Sequence, residues 1–296
     1  HKIVAEQYAK EQISQISKFS RMLHKKNDKI RIGYFSPDFK NHPVTHLILD
    51  VLKNHDRSKF DIYGFFHGPK EDVWTDIVKK YFHKFYNVYE KSDEDIATLS
   101  RKNKIDIAVD LCGYTKYSIT KTYIKGAAPI QINYLGYPGT MGNKYFNYII
   151  ADKHVVPPSE FKNFSEKVIY LPNCYQANQF KIKISKKNFK RKDFKLPNES
   201  FVFACLNSNY KINPIIFDSW MKILIKCKNS VLWLLKGDEK SAENLIKEAS
   251  KRDVNKNRII FAEKTSLDIH LKRMQFIDLF LDTHPYGAHT TASEVI

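Results

Sequence analysis

The sequence predicts an α/β fold made of two successive domains, each a parallel sheet with helices on both faces. Short apolar runs alternate with amphipathic runs through residues 29–175, and the same alternation restarts at residues 200–296. A polar, strongly basic stretch at 176–199 separates the two series and predicts an interdomain linker or surface hairpin. Strands that alternate with helices are typical of parallel sheets covered on both faces.

The first series contains six predicted strands and three predicted helices. The strands are predicted at 30–35, 60–66, 105–111, 130–135, 148–151 and 168–171, and the helices at 45–52, 72–81 and 93–102. The third helix opens with Ser92, Asp93, Glu94 and Asp95, an acidic first turn that suits a helix start. Residues 1–28 carry apolar residues near helical spacing, so they predict an N-terminal helix that could end an upstream repeat region.

The second series is shorter. Strands are predicted at 201–206, 230–235, 258–261 and 277–282, and helices at 214–226, 240–251, 267–275 and 289–296. Doubly wound sheets usually hold about 5–6 strands. Four strands therefore predict a second domain that is incomplete at its C-terminal side.

Composition leaves two interpretations of the charge. The chain has 296 residues and a formal net charge of +17, which could attract a polyanion or an anionic substrate. Its lysines are scattered apart from the run at 181–195, which favours solvated faces over a nucleic-acid site. The four cysteines form no CxxC pair, and we expect buried free thiols in a reducing, cytoplasmic compartment. No apolar run reaches the length of a membrane span.

Loops after the strands of the first domain carry candidate functional residues. Doubly wound sheets bind ligands at the carboxyl ends of their strands. His42 lies in such a loop, where a histidine can accept a proton or hold a substrate hydroxyl. A structural loop histidine is the alternative. Residues 113–116 follow another strand, and the glycine-rich segment 134–142 allows close approach of a ligand, although a plain turn explains it equally well.

Two loops of the second domain suggest a phosphate site. Lys211 follows the first strand of that domain and lies just before a helix start. Thr290 and Thr291 stand where a later strand turns into a helix, whose free N–H groups favour anions, although Thr290 could be a simple N-cap. No Walker loop, GxGxxG, HExxH, GxSxG or DxD motif is present. Phosphate stabilisation would therefore fall on Lys211, Arg273 and backbone dipoles, with no metal and no cofactor.

A set of segments in fixed order carries a family resemblance. The segments are RIGYFSPDFKNHPVTHL, DLCGYTK, APIQINYLGYPGTMG, YIIAD, NYKINP, SVLWLL, NRIIF and LDTHPYGAHTTASE. Together they resemble the catalytic region of protein O-GlcNAc transferases and their bacterial relatives, glycosyltransferase family 41, over residues 29–296. The resemblance implies a GT-B fold, in which two Rossmann-like domains face a central cleft. It also implies metal-independent, inverting transfer from a UDP-sugar such as UDP-GlcNAc to Ser or Thr of acceptor proteins, with tetratricopeptide repeats upstream.

The resemblance assigns roles to individual residues. His42 matches an active-site histidine proposed as a base, and Asp106 and Tyr114 line the same floor. Lys211 matches the lysine that neutralises the leaving diphosphate. The substrate-binding positions that it implies are Pro138, Gly139, Thr140, Ser208, His270, Arg273, His289, Thr290, Thr291 and Glu294.

This sequence also departs from the family pattern. Glu294 stands where an Asp usually binds the ribose, and Ser208 and Leu267 replace longer polar residues. The linker takes the place of a large inserted domain. A relative that uses UDP-glucose, an Asn-directed relative and a non-catalytic basic scaffold are the alternatives. We expect neither a nucleic-acid partner nor a membrane span.

Overall fold

The computed structural model describes residues 2–13, 28–178 and 184–295. The chain divides into two compact units, His1–Phe180 and Lys181–Ile296. The part of the predicted N-terminal helix at 14–27 and the part of the predicted linker at 179–183 lie outside the described residues.

The first unit contains a sheet of seven strands in its described part. They are β1 (Ile30–Ser36), β2 (Phe60–Phe66), β3 (Lys84–Asn87), β4 (Ile107–Asp110), β5 (Ile130–Tyr134), β6 (Tyr148–Ala151) and β7 (Lys167–Tyr170). Their order is β3-β2-β1-β4-β5-β6-β7, and every neighbouring pair is parallel. Successive strands extend the sheet in one direction up to β3 and in the other from β4 onward. The topological switch point therefore lies between β1 and β4.

Helices cover both faces of this sheet. They are α1 (Lys2–Ile13), α2 (Pro43–Asn54), α3 (Val73–Lys79), α4 (Asp93–Lys102) and α5 (Thr120–Ile124). Alternate residues of β2 point to opposite faces, so Ile62 packs in one core with α2 and Phe65 packs in a second core with α4 and α5. Burial on both faces explains why these strands read as continuous apolar runs rather than as alternating ones.

The second unit repeats this design with four described strands. They are β8 (Phe201–Cys205), β9 (Ser230–Leu235), β10 (Ile259–Ala262) and β11 (Leu279–Phe280), in the parallel order β10-β9-β8-β11. The helices are α6 (Pro214–Lys226), α7 (Glu239–Ser250), α8 (Leu267–Arg273) and α9 (Thr290–Ser293). The switch point of this sheet lies between β8 and β11.

The predicted alternation of strands and helices is confirmed, and two elements were missed. β3 is short, polar at both ends and only partly buried, so it lacks the apolar run that marks the other strands. α5 has five residues, fewer than two helical turns, and therefore shows no clear periodicity. No helix in the described part of the chain is long and apolar enough to cross a membrane.

The predicted linker and the predicted thiol burial need correction. The segment from Arg191 to Phe194 forms a 3-10 helix, and Leu196 is buried in a core of the second unit, so this end of the basic stretch belongs to that unit. The apolar residues of this basic stretch are separated by lysines, so they form no continuous apolar run in the sequence. All four cysteines are free, but Cys174 and Cys227 are exposed, and only the other two are buried.

Candidate functional site

Four loops lie at the switch points of the two sheets, each directly after a strand. In the first unit, β1 leads into residues 37–42 and β4 leads into residues 111–119. In the second unit, β8 leads into the segment that ends at Lys211, and β11 leads into residues 281–289. Ligands of doubly wound sheets bind at such points. Each of these loops contains a residue predicted from the sequence: His42, Tyr114, Lys211 and His289 respectively.

His42 is held at the start of α2. It is the N-cap residue, and its Nδ1 accepts a hydrogen bond from the Val44 backbone N–H at 3.3 Å. Asp38 Oδ2 lies 3.5 Å from the same nitrogen, and the His42 side chain is 40% exposed. Burial lowers the pKa of His42, while the Asp38 carboxylate opposes that change. The imidazole is therefore neutral near pH 7.

The two neighbours of Nδ1 decide what the other nitrogen of His42 can do. When Nδ1 accepts from Val44, the proton sits on Nε2, which can only donate to a ligand. When Nδ1 carries the proton and donates to Asp38, Nε2 is free to accept a proton. Burial raises the pKa of Asp38, and the nearby charges of His42 and Lys40 oppose that change.

The loop after β4 is built on a buried carboxyl group. Asp110 Oδ1 accepts a hydrogen bond from the Cys112 backbone N–H at 2.9 Å. Burial raises the pKa of Asp110 to about 6, and nearby backbone N–H groups only partly offset this. Gly113 has φ of +58°, and an added Cβ would lie 2.4 Å from Tyr137 Cβ, so glycine is required there. Tyr114 donates its hydroxyl to the Met141 carbonyl at 2.6 Å.

The glycine-rich loop after β5 is anchored from inside the unit. Thr140 is 3% exposed, and its hydroxyl donates to Glu166 Oε2 at 2.6 Å. Glu166 Oε1 accepts from the Met141 backbone N–H at 2.5 Å. The Gly139 carbonyl accepts from Asn133 Nδ2 at 2.9 Å. Thr140 therefore supports the loop and does not face a ligand, whereas Pro138 and Gly139 remain partly exposed.

Lys211 lies against the loop that follows β11. Its ammonium group donates to the Gly287 carbonyl at 2.9 Å and lies 4.1 Å from the centroid of the Tyr286 ring. Burial lowers the pKa of Lys211, and the charge of Asp282 opposes that change. The ammonium group is thus positioned by a carbonyl and a ring, both of which an anionic ligand can replace.

Asp282 organises this loop, although it was not among the site residues predicted from the sequence. Its Oδ1 accepts from the backbone N–H groups of Thr283 and Ala288, both at 2.7 Å. Asn207, at the end of β8, donates to the same oxygen at 3.3 Å and to the Thr283 hydroxyl at 3.0 Å. Asp282 could have been predicted from the sequence, because it is a carboxylate just after the apolar run of strand β11.

A second polar cluster joins α8 to α9. Arg273 is 2% exposed, donates to the Glu263 carbonyl at 2.7 Å and reaches His270 Nδ1 at 2.6 Å. Because Nδ1 accepts from a guanidinium, the His270 proton is on Nε2, which lies 3.2 Å from Glu294 Oε2. Arg273 therefore orients His270 from within the core. Burial lowers the pKa of Arg273 to about 10.

The start of α9 differs from the simplest sequence interpretation. His289 is the N-cap residue and makes no side-chain capping bond, so Thr290 is the first helical residue rather than the cap. Burial lowers the pKa of His289, as does the charge of Lys211. Thr290 and Thr291 are partly exposed. Ser208 is exposed, and its carbonyl accepts from the Lys211 backbone N–H at 3.0 Å.

Comparison with known protein families identifies the chain. The model described as Glycosyl transferase family 41 matches residues 8–186 and 180–296. The chain belongs to glycosyl transferase family 41.

Relatives of this family 41 chain are longer proteins. It is 34% identical over 274 residues to an Arabidopsis thaliana protein described as a probable UDP-N-acetylglucosamine–peptide N-acetylglucosaminyltransferase SEC, covering 90% of this chain and 28% of that protein. It is 23% identical over 388 residues to the UDP-N-acetylglucosamine–peptide N-acetylglucosaminyltransferase of Caenorhabditis elegans, covering 90% of this chain and 33% of that protein. The chain therefore spans about a third of these relatives. The second alignment is longer than this chain, so the worm protein has additional residues inside the aligned region.

A solved structure matches the fold. A mutant of the Thermobaculum terrenum O-GlcNAc transferase superimposes with a TM-score of 0.88 and 24% identity, covering 99% of this chain and 56% of that one. The likeness supports the α/β GT-B fold that the family resemblance implies.

One predicted site residue of the family 41 chain lies elsewhere. Asp106 precedes β4, its Oδ2 accepts from the Arg31 backbone N–H at 2.8 Å, and its own N–H donates to the Arg31 carbonyl at 2.9 Å. These bonds place Asp106 at the amino ends of β1 and β4, whereas His42 follows the carboxyl end of β1. Asp106 therefore pairs neighbouring strands and does not share a floor with Tyr114.

Proposed function

We propose that this family 41 chain is the catalytic part of an enzyme that transfers N-acetylglucosamine from UDP-N-acetylglucosamine to serine or threonine hydroxyls of proteins. Two curated relatives are described as transferases of that sugar to peptides. The observation that carries the proposal is the position of Lys211, whose ammonium group lies 2.9 Å from the Gly287 carbonyl, in the loop that leads into α9.

The proposed reaction is a single displacement with inversion at the anomeric carbon. The acceptor hydroxyl oxygen attacks that carbon while the bond to the diphosphate oxygen breaks, and UDP leaves with the bonding electron pair. Negative charge grows on the diphosphate in the transition state, so a positioned ammonium group stabilises that state more than the ground state. Lys211 would exchange its bond to the Gly287 carbonyl for one to the diphosphate. In this proposal no metal ion and no cofactor is required.

The acceptor proton is proposed to pass to His42. This requires the arrangement in which Nδ1–H faces Asp38 and Nε2 faces the acceptor hydroxyl. If Nδ1 instead keeps its bond from Val44, His42 holds the acceptor oxygen through Nε2–H and the proton leaves to solvent. The lowered pKa of His42 suits a base that works near neutral pH.

Binding of UDP to the full-length parent protein, measured by calorimetry, is the first test. We expect saturable one-to-one binding that persists in EDTA. Absence of UDP affinity, together with polyanion binding that falls steeply with salt, would instead identify a basic scaffold.

A panel of radiolabelled UDP-sugars, offered with peptide acceptors, then tests the reaction. We expect transfer from UDP-N-acetylglucosamine in EDTA, with a β-linked product from the α-linked donor by NMR. Exclusive use of UDP-glucose would contradict the proposed donor. Attachment to asparagine would contradict the proposed acceptor, and an α-linked product would contradict inversion at the anomeric carbon.

A further inference from the structure

A cavity in the first unit shares Tyr114 with the predicted active-site floor, but it contains neither His42 nor Lys211. It opens between α1 and the loops after β4 and β5, with a volume of about 560 Å³. That volume falls within the range of about 300–1,000 Å³ typical of ligand sites. Its lining residues are Val4, Ala5, Tyr8, Tyr114, Thr115, Ser118 and Tyr137.

The walls of this cavity are aromatic and closely packed. The Tyr114 ring meets the Tyr8 ring edge-to-face at 5.1 Å between centroids and the Tyr137 ring at 5.6 Å. α1 packs closely against the loop after β5. Ala5 is buried, and a Cβ on Gly142 would lie 2.5 Å from the Ala5 carbonyl carbon. The cavity is therefore formed by packed elements.

Three of the hydroxyl groups that line the cavity, those of Tyr114, Thr115 and Ser118, already have hydrogen-bond partners. Tyr114 donates to Met141, Ser118 Oγ lies 2.7 Å from Thr120 Oγ1, and Thr115 Oγ1 donates to the Cys112 carbonyl at 2.9 Å. A sugar or nucleotide needs free polar groups that fix its orientation. Ring faces and methyl groups instead favour an apolar, planar group.

The loop that forms one wall of the cavity also approaches the His42 loop. The ring centroid of Tyr117 lies 5.8 Å from Lys40 Nζ and 4.9 Å from Lys116 Nζ. Lys40 Nζ lies 3.9 Å from Asp38 Oδ1, whereas Lys116 has no carboxylate within 4 Å among the residues that the structure describes. A polypeptide that runs between the cavity and His42 would pass the ammonium group of Lys116, which complements an acidic side chain.

We propose that this cavity is a specificity site for the acceptor polypeptide: it binds an aromatic side chain, while Lys116 faces an acidic residue between that side chain and the acceptor hydroxyl. The proposal rests on the proposed function, because it names the class of acceptor.

The test uses the full-length protein and a scan of serine peptides. A single phenylalanine is moved from roughly six residues before to six residues after the serine, with one glutamate in between and alanine elsewhere. We expect one narrow offset to raise kcat/KM about tenfold, because a phenylalanine side chain becomes buried there. Replacing that glutamate by lysine should remove much of the gain.

Two tryptophan variants separate the cavity from the rest of the surface. Val4→Trp fills the cavity and should abolish the preference for phenylalanine. Ile3→Trp adds the same side chain at a neighbouring position that is 78% exposed and outside the lining, and it should retain the preference. UDP affinity, measured by calorimetry, should be the same in both variants and serves as the control for folding.

The outcomes distinguish this proposal from the proposed function. A phenylalanine preference that survives Val4→Trp, or no preference at any offset, overturns the cavity assignment. If Val4→Trp changes the oligomeric state and leaves the peptide preference unchanged, the assignment to a peptide is overturned, and a second copy of the chain occupies the cavity instead. If UDP binds and no peptide is modified, the proposed function fails. In that case, fluorescence anisotropy measures binding of the same peptides. The phenylalanine-containing peptide should bind more tightly to the parent protein, and Val4→Trp should remove this difference.

Discussion

The carboxyl edges of the two sheets present similar loops with different electrostatics. In the first unit, Asp110 and Glu166 are buried beneath the loops, and neither has a basic group within 4 Å in the described part of the chain. In the second unit, Lys211 and Arg273 are held by carbonyls, and the charge of Asp282 acts on Lys211. The ionisable groups that these loops enclose are therefore acidic at the first edge and mainly basic at the second.

This difference shows how one topology supports two tasks. Both sheets place their switch-point loops at the carboxyl ends of parallel strands, so the fold supplies the position of a site. The charge of the side chains in the loops then decides the type of ligand. Three substitutions test the comparison.

The largest expected effect concerns the cation of the second unit. Lys211→Met should lower kcat by about 10²–10³, because in the proposed reaction the ammonium group stabilises charge that develops on the diphosphate. Steady-state transfer kinetics of the full-length protein measure this. Lys240→Met, on the exposed side of α7, is the matched control and should keep normal activity. A normal kcat in Lys211→Met would show that the positive charge in the second unit does not contribute to transfer.

The next effect concerns the buried carboxyl group of the first unit. The pKa of Asp110 is about 6 in the folded protein, and about 3.9 is the ordinary value of an unfolded chain. The folded state therefore binds the proton more tightly, and stability decreases as pH rises from about 4 to 6. Asp110→Asn keeps the acceptor for the Cys112 N–H and removes this cost. Its free energy of unfolding at pH 8 should exceed that of the parent by about 3 kcal/mol.

Urea unfolding at pH 5 and pH 8 measures the effect of Asp110→Asn, and the gain should be larger at pH 8. Asp152→Asn provides a control of opposite sign. Burial raises the pKa of Asp152, but backbone N–H groups of Tyr175, Val155 and His154 lower it below its ordinary value. Its substitution should therefore destabilise the protein at neutral pH. Equal effects of the two substitutions would show that buried charge does not distinguish these sites.

The smallest expected effect concerns the orientation of His42. Asp38→Asn should reduce kcat/KM about tenfold, because the neutral amide no longer favours the form with Nδ1 protonated. The Asp38 carboxylate also raises the pKa of His42, so its removal should move the acid limb of the pH profile of kcat/KM to lower pH. An unchanged profile would indicate that Val44, rather than Asp38, sets the proton position of His42.

The sequence by itself determined most of the strands and helices along the chain, their division into two series and the family, but it did not reveal β3 or α5. These properties follow from local pattern, because a strand buried on both faces needs a continuous apolar run and a turn needs particular residues. His42 and Lys211 could be chosen from the sequence for the same reason: each directly follows a recognisable strand, and strand ends at a switch point form sites.

Only the tertiary structure decided which polar residues face a ligand and which support the fold. Thr140 and Glu166 are 26 positions apart, and Asn207 and Asp282 are 75 apart. A hydroxyl or guanidinium in a motif looks the same in sequence whether it is free or already satisfied. Hydrogen-bond satisfaction and burial depend on groups that are distant along the chain, so Thr140 and Arg273 could be identified as supporting residues, and Asp106 as a link between strands, only from their contacts.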